Sequence, residues 1–93
     1  MRTKAQPIVL EDNDKVVITE WRFAPGAETG LHRHAMDYVI VYRTAAQHLV
    51  QTTAGETLVD IAEGHSYFRR AGVEHNVINV GTQEVVLVET ELK

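Results

Sequence analysis

Hydrophobic and polar residues alternate with the period of a strand along most of the chain. Lys15-Val16-Val17-Ile18-Thr19-Glu20-Trp21-Arg22-Phe23 is rich in β-branched and aromatic residues, and Ala24-Pro25-Gly26 ends it. Further runs follow at Asp37–Arg43, Gln47–Thr52, Thr57–Ile61, Ser66–Arg69, His75–Val80 and Glu84–Leu92. Turn signals separate them at Ala54-Gly55-Glu56, Glu63-Gly64, Ala71-Gly72 and Gly81-Thr82-Gln83. This spacing predicts an all-β domain of seven or eight short strands, a sandwich or barrel. No segment has a convincing helical pattern, because the residues after the capping candidate Asp12 are too β-branched. Residues 1–12 form an edge strand around Ile8-Val9-Leu10, or an N-terminal arm. Such an edge invites pairing with a second copy, so a homodimer is expected.

A chain of 93 residues makes one domain, here 1–93. So short a domain buries a modest core and gains from extra support. Cysteine is absent, so that support is a metal or a partner subunit rather than a disulfide, and thiolate chemistry is excluded. The net charge of −4 and the lack of any basic run beyond Arg69-Arg70 argue against nucleic acid. No apolar run is long enough for a membrane span, and the basic start Met1–Pro7 has no apolar segment behind it. The protein is therefore read as cytoplasmic.

The chemistry concentrates on five histidines. His32 and His34 are two residues apart, so in a strand both rings face the same side. His75 opens another β-type segment, which a barrel can bring beside them. Gly26-Ala27-Glu28-Thr29-Gly30-Leu31-His32-Arg33-His34 resembles the first motif of the cupin superfamily, a Gly, five residues, then His-x-His. Gly64, Gly72, His75 and Asn79 fall in the register of the second cupin motif, with Arg70 at its proline position. The resemblance implies a double-stranded β-helix, the cupin jelly roll, and a divalent metal on His32, His34 and His75. Trp21–Gly30, His32-Arg33-His34 with Asp37-Tyr38-Val39, and Gly72–Val77 further resemble one-domain cupins described as β-alanine-degradation proteins. That group implies a small carboxylated metabolite.

The usual cupin glutamate ligand is missing. Its position falls on Tyr38 or Val39. Three neutral imidazoles leave a divalent ion its full charge and leave coordination positions open, as in catalytic sites. Such a centre attracts an anionic small molecule. Iron, zinc, nickel, manganese and copper all remain open, and the three-histidine set resembles the iron thiol dioxygenases. The expected activity is a metal-dependent enzyme, with a non-catalytic sensing module and an iron dioxygenase as alternatives. Tyr38 shares parity with His34; it either fills the barrel or directs a hydroxyl at the bound group, while Asp37 faces outward. Arg70 is a carboxylate clamp or a solvated turn charge. Trp21 is a core or pocket residue. His48 reads as surface or pocket lining, His65 as a loop residue, and Glu28 and Glu74 as rim. Apart from Tyr38, no acid–base group is evident beside the ion.

Overall fold

Turn glycines cut the β-branched runs into strands that pair only with antiparallel neighbours. The structure, a computed structural model, describes residues 2–93. Those residues hold nine strands: β1 (Gln6–Asp12), β2 (Val16–Phe23), β3 (His32–Arg33), β4 (Asp37–Tyr42), β5 (Ala46–Thr52), β6 (Gly55–Ile61), β7 (Ser66–Arg69), β8 (Glu74–Asn79) and β9 (Val85–Leu92). None is a helix, so no helix long and apolar enough to cross a membrane occurs among them. The count exceeds the expected seven or eight because a two-residue β3 forms around the first histidine pair. The turn expected at Ala54-Gly55-Glu56 sits earlier. Thr52 pairs with Gly55, so the chain reverses at Thr53-Ala54 and Glu56 already lies in β6.

Two sheets face each other. One has the order β1-β2-β9-β4-β7 and the other β3-β8-β5-β6. Register decides what enters the barrel. Trp21 pairs with Leu87 and Leu87 with Tyr42, while Thr19 pairs with Glu89 and Glu89 with Ile40. Side chains that share a register position share a face. Phe23, Tyr38, Ile40, Tyr42, Val85 and Leu87 thus form the apolar core. Asn79 closes the far end. Its amide donates to the carbonyls of Phe23 and Gln83 at 3.1 and 2.9 Å, and its oxygen accepts from the Gly81 N–H at 3.0 Å. The second-motif asparagine is therefore a fully buried clasp between loops, at the opposite end of β8 from His75.

Candidate metal centre

His32 and His75 are direct cross-strand partners of β3 and β8. His34 lies just beyond β3, but its backbone stays extended. Its N–H donates to Val73 O and its carbonyl accepts from Gly72 N–H, both at 2.9 Å. Gly72 makes that contact at φ +103°, which a side chain rarely adopts. The i, i+2 parity therefore survives, although the regular strand is shorter than the sequence implied. The Nε2 atoms of His32 and His34 stand 3.0 Å apart, and those of His34 and His75 3.2 Å apart.

Proton counting shows what this vertex requires. Nδ1 of His32 lies 2.8 Å from the Gly30 carbonyl, which can only accept, so Nδ1 holds the proton and Nε2 presents a lone pair. Nε2 of His34 then has one position to serve two neighbours. With a proton it satisfies His32 but not His75. Without one it sets lone pair against lone pair at His32. Neutral rings cannot satisfy both contacts, whereas a single cation satisfies all three nitrogens. The spacing also fits. Metal–nitrogen bonds of about 2.1 Å at roughly 90–109° separate their nitrogens by about 3.0–3.4 Å. Among the described residues these three side chains form the group able to hold a metal ion.

Burial keeps His34 and His75 neutral. His34 is pushed down to about 4 by desolvation and then by His32. His75 falls to about 4 by desolvation, then by His32 and His34. Tyr38 stacks flat on His34 with ring centroids 3.9 Å apart. Desolvation first, then Tyr67, lifts its hydroxyl to about 12 against the opposing pull of Arg69, so it keeps its proton. A cavity of about 270 Å³ opens beside the triad, with Trp21, Arg33, Tyr38, Tyr67, Glu89 and Glu91 on its walls. Glu89 is the buried acid among them. One oxygen lies 3.7 Å from Nδ1 of His34 and the other accepts from Trp21 Nε1 at 3.4 Å. Desolvation, reinforced by Glu91 and opposed by Trp21, raises its carboxyl to about 7.

The cupin domain family model, Cupin_2, matches residues 19–91. The chain belongs to the cupin family. It is 55% identical over 92 residues to the β-alanine degradation protein BauB of Pseudomonas aeruginosa, covering 99% of this chain and 97% of that one. A cupin domain from Bordetella pertussis Tohama I superposes at TM-score 0.96 with 50% identity, covering 100% of this chain and 97% of the other. The polyketide cyclase RemF of Streptomyces resistomycificus shares the fold at TM-score 0.78 and 20% identity, over 98% of this chain and 68% of its own. The chain is a small cupin domain.

Within this cupin the sequence-derived residues separate clearly. His32, His34, His75, Tyr38 and Trp21 meet around the cavity. Arg70 does not. It lies past the end of β7, is exposed, and is absent from the cavity walls. Arg69, one residue earlier and in β7, is exposed as well, but it shares the strand face of Tyr67 and holds its guanidinium 4.4 Å above that ring. Asp37 is spent on the Ala71 N–H at 2.7 Å. Glu28 accepts from Asn76 at 2.7 Å, and Glu74 is exposed. His65 is exposed in the β6–β7 turn. His48 is buried rather than on the surface, with Nδ1 3.0 Å from the Tyr42 hydroxyl. The buried titratable group on the cavity wall that sequence reasoning missed is Glu89. Its signal was parity: Leu87, Glu89 and Glu91 occupy one face of β9.

Proposed function

We propose that this cupin is a metal-dependent enzyme acting on a small carboxylate metabolite at His32, His34 and His75. The supporting observation is the vertex of three Nε2 atoms, two of whose contacts neutral rings cannot satisfy together. A divalent ion bound there supplies Lewis acidity beside open coordination positions. The chain's residues do the rest. Gly30 fixes the proton of His32 on Nδ1, and Glu89 faces the corresponding atom of His34, which keeps the Nε2 lone pairs aimed inward. Tyr38, protonated in the cavity wall, donates a hydrogen bond to the bound group. The neutral donor set favours an anion, and the relative BauB is named for β-alanine degradation, which agrees with a carboxylate. Glu89 supplies the inward carboxylate whose absence would have favoured a sensing module.

The test begins with elemental analysis of protein purified without added metal. Small carboxylates and thiols are then screened for turnover and oxygen uptake. The expected outcome is a stoichiometric divalent ion, and turnover lost together with that ion in His75→Ala. Ligand binding with no turnover of any screened compound would replace the enzyme by a sensor. Oxygen consumption by the iron-loaded protein would make it a dioxygenase.

The homodimer belongs to the same proposal. All seven residues of β1 are exposed along the free edge of the larger sheet, Ile8, Val9 and Leu10 among them. Pro7 and a register shift between Val9 and Glu11 interrupt the main-chain edge, so side-chain contact rather than strand addition joins the copies. Light scattering should return twice the chain mass, and Val9→Glu should halve it.

A further inference from the structure

The histidine centre opens onto a second space. Strands β6 and β7 each lie at one edge of their sheet, and no pairing joins them among the described residues. A cleft of about 530 Å³ lies along this seam, a volume in the range of small-molecule sites. It shares Tyr38, Tyr42, Tyr67 and His75 with the first cavity, so both spaces border the same metal ligand.

The floor of the cleft is polar and the lip is cationic. On the floor, Nδ1 of His48 meets the Tyr42 hydroxyl, while its Nε2 is buried and has no hydrogen-bond partner. An imidazole nitrogen left in that state costs free energy that a polar occupant would recover. Burial holds His48 down to about 4 and raises the Tyr42 hydroxyl, so both groups are neutral. The lip is Arg69. It donates to the Phe68 carbonyl at 2.9 Å and has no carboxylate within ion-pair distance among the described residues. Arg2, Arg22 and Arg43 have acidic partners, whereas Arg33, Arg69 and Arg70 have none among the described residues, and of these three only Arg69 lines the cleft. The one carboxylate on the cleft wall, Asp60, lies at the other end. It pairs with Gln47, whereas Arg69 pairs with Tyr38 at the metal end. Asp60 is also exposed between half-buried Val59 and Ile61, which turns it outward. Glu91 faces the first cavity, not this one.

We propose that the β6–β7 cleft is a second ligand subsite, in which Arg69 takes the distal carboxylate of a dicarboxylate whose proximal carboxylate sits at the histidine centre. The guanidinium fork suits a carboxylate, and the seam admits the chain between the two ends. The proximal half rests on the function proposed above; the distal half rests on the cleft alone.

The test keeps the two apart. Divalent metal is first titrated into the full chain by calorimetry. Acetate, malonate, succinate and glutarate are then titrated into the metal-loaded protein. At least one dicarboxylate should bind roughly tenfold tighter than acetate. Arg69→Gln should abolish that advantage and leave acetate binding unchanged. Arg70→Gln removes the same charge one residue away, outside the cleft, and should preserve it. Equal binding of mono- and dicarboxylates, or equal loss in both variants, overturns the subsite. If no metal binds, the metal reading falls by itself. Thermal shifts with the same dicarboxylates then decide the cleft: a shift that Arg69→Gln removes sustains it, and no shift overturns it.

Discussion

The barrel holds two groups of inward histidines, and burial alone does not tell them apart. His34 and His75 are 7% and 9% exposed, His48 only 1%. Desolvation pushes all three down to about 4. They differ in where the ring nitrogens point. His48 stands alone, with Nδ1 joined to the Tyr42 hydroxyl. The triad directs Nε2 atoms at one another, 3.0 and 3.2 Å apart, two contacts that neutral rings cannot satisfy together. Lowered basicity reports a buried imidazole. Converging ring nitrogens mark a group able to hold a metal ion, and that distinction can be broken by experiment.

The largest effect should separate the two groups outright. His75→Ala removes one corner of the vertex and should weaken metal binding by at least ~100-fold, since loss of a ligand exceeds the upper range for supporting residues. His48→Gln should bind metal like the parent protein. Thermal unfolding gives a second reading. Metal at about 100 times its dissociation constant adds about 2.7 kcal/mol, roughly 10–20 °C for a domain of this size. That rise should appear in the parent and in His48→Gln but not in His75→Ala. Loss of metal in both variants would erase the contrast.

Acid should sharpen it. Burial holds the folded His48 down to about 4, below the ordinary histidine value of about 6.5. The unfolded chain thus binds the extra proton first, and stability falls as pH drops from about 6.5 towards 4. The share from His48 is on the order of 3 kcal/mol at the low end of that window. Above pH 6.5 the contribution is fully present. Urea midpoints of the metal-loaded protein should fall more steeply over this window for the parent than for His48→Gln. Parallel curves would mean that His48 exchanges its proton without cost to the fold.

Much of this contrast was legible in the sequence, and the missing parts have local causes. The triad could be read because His32 and His34 share parity and because Gly64, Gly72, His75 and Asn79 keep fixed spacing. The strand content followed from β-branched runs cut by turn residues. His48 was harder. It sits between Gln47 and Leu49, and the alternation there does not show which side is core; only pairing with Asn79 and Val59 turns it inward. Sequence pattern singles out Arg70 as the possible clamp and passes over Arg69, although the expected run Ser66–Arg69 is the observed β7 and already puts Arg69 on the face of Tyr67. Glu89 was hidden for a different reason. A glutamate in a terminal strand rich in Glu84, Glu89 and Glu91 reads as solvated charge. Register with Ile40 and Thr19 is what buries it.

Glu89 gives the smallest effect and the finest division. Its carboxylate faces Nδ1 of His34, behind the ring, whereas the metal ligand would be Nε2. It therefore acts through His34, by favouring the tautomer that keeps Nε2 free. Glu89→Gln preserves the size and the contact with Trp21 but removes the charge. Metal affinity should fall by about tenfold, the lower range for a carboxylate supporting a histidine ligand. Circular dichroism should be unchanged. A loss as complete as that of His75→Ala would make Glu89 a ligand in its own right, reached by a shift of β9 towards the vertex. No loss at all would show that Gly30, β8 and the Gly72 turn orient the three rings unaided, and that the buried carboxylate serves the bound substrate instead of the metal.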